Sequence, residues 1–167
     1  MYKIGIIDTM NPKGIELLRS NKNFNVEVIT DLSKENLLKE LPKYDGVTLR
    51  RGKLDSEVLK NCKNLKVIAR HGVGYDNVDT NYLKKNNITL LITHNSTSTS
   101  PAEHIMFMIL NIYKGRDMFD KMVRDGNFHK AIHLQIDDNF ELFAKKILII
   151  GFGRIGKKLI KKCLGFD

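Results

Sequence analysis

Val67-Ile68-Ala69-Arg70-His71-Gly72-Val73-Gly74-Tyr75-Asp76-Asn77-Val78-Asp79 runs from an apolar segment into a loop holding two glycines. The apolar part, Leu65–Ala69, reads as a buried strand because it is short, rich in branched side chains and stopped by turn residues. A loop with glycines at two close positions can leave backbone N–H groups unpaired, which makes a nest for an anion. Asp79 then caps a helical turn carrying Tyr82 and Leu83. Strand, glycine loop and helix in that order are the repeating unit of a parallel sheet.

Moving outward, the same unit recurs. Tyr2–Asp8, Phe24–Thr30, Asp45–Leu49 and Ile88–Ile92 read as further buried strands. Asn11-Pro12 supplies a cap and a proline at the first helical position, ahead of Ile15, Leu17 and Leu18. Ser33 caps a segment with Leu37, Leu38 and Leu41 that Pro42 ends, and Asp55 opens a turn with Val58 and Leu59. Strand and helix alternating five times predict an α/β, flavodoxin-like, doubly wound parallel sheet over residues 1–95. In such a sheet ligands bind beyond the carboxyl ends of the strands. Arg50 and Arg51 follow one strand and Val73 and Gly74 follow the next, so all four are candidates for holding a small carboxylate or phosphate. A conformational glycine turn and a surface arginine pair would account for the same residues.

The polar run His94-Asn95-Ser96-Thr97-Ser98-Thr99 marks a boundary, and Ser100-Pro101-Ala102-Glu103 has the form of a capping box. One long helix is expected from His104 to about Arg124, apolar nearly all round between Ile105 and Leu110, with Asp125-Gly126 stopping it. This loop and helix, 96–126, read as the link between domains. From Asn127 to Asn139 no period convinces. Lys145–Ile150 then reads as a strand entering Gly151-Phe152-Gly153-Arg154-Ile155-Gly156 and a helix, Lys157–Leu164. That strand–turn–helix context lets three glycines make a tight turn, admit a pyrophosphate and pack helix on strand. Residues 127–167 accordingly read as the first β-α unit of a Rossmann nucleotide-binding domain. An acidic residue about 20 positions beyond the glycines should bind the ribose; Asp167 is too near and has no strand before it.

Composition narrows the classes. The chain has 167 residues, a net charge of +9 and 42% hydrophobic residues, ordinary for a soluble globular protein apart from its basicity. Lysines outnumber arginines 21 to 7 and are scattered, with no cluster of arginine and aromatics, which argues against nucleic acid. The longest apolar run, Ile105 to Leu110, is far below the ~18 residues of a membrane span. Cys62 and Cys163 lack metal spacing and read as reduced thiols, pointing to the cytoplasm. His129 and His133 are four apart, as metal ligands can be, but no carboxylate or cysteine stands at a suitable offset, so no metal is expected.

Taken together, Val67–Asp79, Ser100-Pro101-Ala102-Glu103-His104 and Glu141-Leu142 with Ile147–Leu159 resemble, in order and near the same spacing, three signatures of the D-2-hydroxyacid dehydrogenases, the phosphoglycerate type above all. The resemblance implies two similar α/β domains, hydride transfer between NAD and a 2-hydroxy or 2-keto acid, and dimerisation through the nucleotide domain. It places Arg50 and Arg51 near the substrate and the amides of Val73 and Gly74 on its carboxylate. Gly151, Gly153, Arg154, Ile155 and Gly156 would hold the pyrophosphate, with His104 toward the nicotinamide. The family's catalytic arginine, glutamate and histidine lie further along the nucleotide domain and match nothing here, so no catalytic residue is assigned. Two readings follow: the N-terminal half of an enzyme, or a truncated, inactive remnant that binds or dimerises.

Overall fold

The computed structural model describes residues 1–134 and 141–167. They form two compact units, Met1–Ser96 and Thr97–Asp167.

The first unit is a five-stranded parallel sheet. Its strands are β1 (Tyr2–Ile7), β2 (Phe24–Ile29), β3 (Gly46–Leu49), β4 (Val67–Arg70) and β5 (Thr89–Ile92), in the order β2-β1-β3-β4-β5. That is the flavodoxin-like order expected from the alternation. Four helices connect the strands: α1 (Pro12–Arg19), α2 (Lys34–Glu40), α3 (Ser56–Leu59) and α4 (Thr80–Lys85). Each starts on a side chain that accepts a hydrogen bond from an otherwise orphaned backbone N–H: Asn11 from Lys13, Ser33 from Asn36, Asp55 from Val58 and Asp79 from Tyr82. Pro42 does not end the chain's helical course at once but sits in a single 3-10 turn, Leu41–Lys43. The core is apolar and continuous, with Ile7, Leu41, Leu49, Leu54 and Ile68 fully buried.

In the second unit α5 (Thr99–Lys114), α6 (Arg116–Arg124), α7 (Phe128–His133) and α8 (Arg154–Cys163) follow in order. Three sequence expectations are corrected here. The helix begins at Thr99 with Ser98 as its cap residue, and Ser98 makes no side-chain capping bond. Pro101 is therefore the third helical residue, which costs nothing because N–H groups throughout the first turn lack intrahelical acceptors. The long helix is broken at Gly115, whose φ of 54° lies in the left-handed region that ends helices at glycine. Apolar periodicity continues across this point, so pattern alone joined α5 to α6. Residues 145–150 form no β-ladder among the described residues, and Leu148 and Ile150 are 86% and 93% exposed. A strand exists through hydrogen bonds to a neighbour, and an apolar run supplies only the side chains.

The helix α7 occupies part of the stretch where no period was convincing. Within this unit α5 packs on α8 through Ala102, Met106 and Leu159, joined by Leu142.

Leu49 lies on a central strand with no exposed surface. Leu49→Ala should lower the unfolding free energy by about 3 kcal/mol, read as a shifted urea midpoint with unchanged slope. A loss below ~1 kcal/mol would mean the core is not centred on β3.

Candidate functional site

At the carboxyl edge of the first unit the sheet's hydrogen bonding continues past the strand ends. Asp8 N–H donates to Ile29 C=O (2.9 Å), Arg50 N–H to Ile7 C=O (3.4 Å) and His71 N–H to Leu49 C=O (2.8 Å). The loops after β1, β3 and β4 thus start from a fixed frame.

The loop after β3 carries Arg50 and Arg51. It is tied to the loop after β4 by a short parallel bridge, Leu54 with Val78, and by the Asn77 side-chain amide donating to Gly52 C=O at 2.6 Å. This joins the two loops that carry the four candidate residues. Arg70 fills the space between them, its Nη1 donating to His71 C=O (2.7 Å) and Leu49 C=O (3.3 Å). Among the described residues, the N–H groups of Val73 and Gly74 have no hydrogen-bond partner. Gly74 is exposed and Val73 half-buried, so both amides are open to a ligand.

Asp8 is the residue that sequence reasoning missed. It stands just past β1, is 4% exposed, and adopts a φ of 70°. Aspartate tolerates the left-handed region better than most residues, yet the conformation still costs about 1 kcal/mol. Its carboxylate is paired with Arg51 through two bonds, Nε to Oδ2 at 2.6 Å and Nη2 to Oδ1 at 3.0 Å. Arg50 Nη1 stands 4.0 Å from the same carboxylate, outside hydrogen-bond distance. The two arginines are therefore not equivalent. The Arg51 bond, the strongest influence, holds the Asp8 carboxyl down at about 2 against burial, helped by the Thr9 N–H and the charges of Arg51 and Arg50.

The second unit carries the glycine turn. Gly151 has a φ of 98°, and Gly153 is the cap residue of α8. A Cβ on Gly156 would meet the Gly151 carbonyl oxygen at 2.5 Å, so only glycine lets the helix come this close to the turn. No Cβ contact restricts Gly151 or Gly153, and the first turn of α8 has no acidic residue. The helix N-terminus thus presents its N–H groups at an open, glycine-lined turn, which suits a phosphate. Arg154 and Ile155 open that helix. His104 is exposed on α5, its ring stacked on Phe107 at 5.8 Å. Near it, Lys162 reaches Glu103 (3.2 Å), and Lys158 bonds the Thr99 hydroxyl. His129 and His133 lie exposed on α7. Among the described residues no group of three or more His, Cys, Asp or Glu could hold a metal ion, and no helix is long and apolar enough to cross a membrane.

Comparison with known proteins adds a family and several relatives. The family model described as D-isomer specific 2-hydroxyacid dehydrogenase, catalytic domain, matches residues 4–153. A D-3-phosphoglycerate dehydrogenase of Archaeoglobus fulgidus is 33% identical over 166 residues, 99% of this chain and 31% of that protein. A glyoxylate reductase of Pyrococcus furiosus is 30% identical, covering 99% of this chain and 51% of its own length. A solved protein of Pyrococcus horikoshii OT3 superposes with a TM-score of 0.77 at 31% identity, over 99% of this chain and 50% of that one. A formate dehydrogenase of Staphylococcus aureus, solved with NAD bound, shares the fold at a TM-score of 0.81 and 24% identity, over 99% and 54% of the two chains. The chain spans a third to a half of the length of these relatives.

Two outcomes are expected from the geometry. Gly156→Ala should loosen α8 from the turn, seen as faster amide hydrogen exchange through 154–163 while the strands of the first unit keep their protection. Unchanged exchange would show that the close approach is not maintained in solution. Asp8, with its carboxyl lowered from 3.8 to about 2, adds stability that is full above pH 3.8 and fades as pH falls toward 2. The urea midpoints of wild type and Asp8→Asn should therefore differ at pH 7 and converge across that window. A gap independent of pH would show that the charge of Asp8 is not what stabilises.

Proposed function

Because the chain belongs to the D-isomer specific 2-hydroxyacid dehydrogenase family, we propose that it is part of an NAD-dependent oxidoreductase acting on the CH–OH group of a small D-2-hydroxy acid. The observation that carries this reading is the carboxyl edge of the sheet, where the loop bearing Arg50 and Arg51 is bridged through Leu54 and Val78 to the loop whose Val73 and Gly74 amides are unpaired. A carboxylate needs two or three convergent donors in a fixed place, and this edge offers them on a rigid frame. The cofactor role falls to the other unit. Gly151, Gly153, Arg154, Ile155 and Gly156 would receive the pyrophosphate of NAD, with His104 toward the nicotinamide. NAD supplies the hydride acceptor when bound. The chain's own residues bind and orient.

No residue here is assigned the proton transfer that must accompany hydride transfer. The chain alone is then a binding half, and its inactive, dimerising alternative differs only in whether the remaining half accompanies it. Substrate choice rests on kinship. The Archaeoglobus relative supports 3-phosphoglycerate, while the glyoxylate reductase of Pyrococcus furiosus and a hydroxypyruvate reductase of Thermotoga maritima, 30% and 29% identical, support smaller acids. A cytoplasmic homodimer is the proposed working state, on the family's pattern and the unpaired thiols of Cys62 and Cys163.

The decisive experiment joins this chain to the second half of the Pyrococcus furiosus glyoxylate reductase and follows NADH oxidation. The hybrid should reduce glyoxylate, hydroxypyruvate or phosphohydroxypyruvate, and the 167-residue chain alone should reduce none. A folded, NAD-binding hybrid inert toward all three would overturn the reading, and turnover by the chain alone would overturn the division of labour.

A further inference from the structure

Arg70, the last residue of β4, holds the first peptide of the loop that follows it from two directions. Its Nη1 donates to the His71 carbonyl at 2.7 Å, and its own carbonyl accepts the Gly72 N–H at 2.9 Å. The peptide joining His71 to Gly72 is thus bound at both polar ends by one residue. The same Nη1 reaches the Leu49 carbonyl at 3.3 Å, which ties the loop to the end of β3. The fit is close, since a Cβ on Gly72 would stand 3.1 Å from that nitrogen. The next peptide is fixed from the other side, because the Gly72 carbonyl accepts the Thr93 N–H just past β5 at 3.0 Å. In a planar trans peptide N–H and C=O point opposite ways, so this bond turns the Val73 N–H away from β5. β3, which leads into the loop bearing Arg50 and Arg51, flanks β4 on the side opposite β5.

Carbonyls need only a neutral donor, yet the side chain that serves these two is a cation. Among the described residues Arg70 makes no ion pair, whereas Arg51 is paired with Asp8. Its Nε is buried and has no hydrogen-bond partner. A half-buried guanidinium with an unmet N–H and no counter-ion is costly to hold. An anion received by the Val73 and Gly74 amides of the same loop would supply the counter-charge.

We infer that Arg70 is a positioning residue for the amides that would hold the substrate carboxylate. It fixes the peptide leading into them and leaves its own charge uncancelled beside the anion they would receive. Donors set in place beforehand bind more tightly than a loop that must first order itself, and a nearby cation adds to that. Arg70 acts through the loop and is not itself a donor to the ligand. The inference rests on the proposed hydroxy-acid reading.

The test is an NMR titration of the 167-residue chain with glyoxylate, followed at the Val73 and Gly74 amides and at the Arg70 Nε–H. In wild type all three resonances should move with one Kd. Arg70→Gln, which keeps a donor and loses the charge, should weaken glyoxylate about tenfold in Kd. Arg70→Lys, which keeps the charge and one donor, should stay within about threefold of wild type. A merely structural arginine would give both variants the same loss, because neither rebuilds the guanidinium. Should Arg70→Gln fail to fold, Arg70→Met, apolar and unbranched, reads the loss of charge in its place. Equal losses in Arg70→Gln and Arg70→Lys would overturn the role of Arg70 and leave the hydroxy-acid reading standing. So would unchanged affinity in Arg70→Gln, or a wild-type Arg70 Nε–H that stays still while Val73 and Gly74 move. No response of the folded wild type to glyoxylate would remove that reading, and the inference with it.

Discussion

Asp8 and Arg51 are paired across 43 residues of sequence, and that two-pronged bond, buried on the aspartate's side, sits at the reversal of the strand order. A carboxylate moved out of water loses its hydration, and only a partner of matching geometry compensates it. The pair therefore fixes the first residues of the loop after β3 against the end of β1. From there the constraint passes through Leu54 and Val78 to the loop after β4. The two unpaired amides of that loop stay available because the loop is held from both sides, by the bridge and by Arg70 beneath it. Removing the ion pair would leave the sheet's core intact and slacken the edge where chemistry is placed.

On the proposed reading, the two units would hold anions by related physics on different scaffolds. At the first, the loops carrying the Val73 and Gly74 amides and the two arginines lie on one sheet edge. At the second, a helix N-terminus does the work, and glycine at 156 allows the approach because any Cβ would strike the Gly151 carbonyl. Neither arrangement needs a fully buried free charge, which would be costly to hold before a ligand arrives. The net charge of +9 would support both by favouring anion approach over the whole surface.

Most of the first unit was readable because its information is local. Periodicity placed five strands, and Asn11, Ser33, Asp55 and Asp79 announced four helix starts within three residues of where their side chains act. What could not be read was non-local. Asp8 read only as the last residue of the strand Tyr2–Asp8, since its partner lies far along the chain. The failure at 145–150 has the same origin, because a strand is a relation between two segments and only one is written there. The break between α5 and α6 is different. Gly115 was a visible signal, outweighed by an apolar pattern that continues across it.

These misses bear on how the arginines should be weighed. Adjacent charges in a sequence invite addition, and two arginines suggest affinity for a doubly charged group. Burial and pairing decide instead how much of each charge a ligand meets. Arg51 has the more exposed side chain of the two, 70% against 51%, yet it is the one that bonds Asp8, through Nε and Nη2. Exposure measures how much of a side chain water touches, and it says little about which hydrogen-bonding edge is free. At this edge Arg50 makes no hydrogen bond to Asp8, and Arg51 keeps its outer Nη1 and Nη2 donors. Asp8 therefore cancels one of the pair's two charges and leaves donors on both guanidiniums.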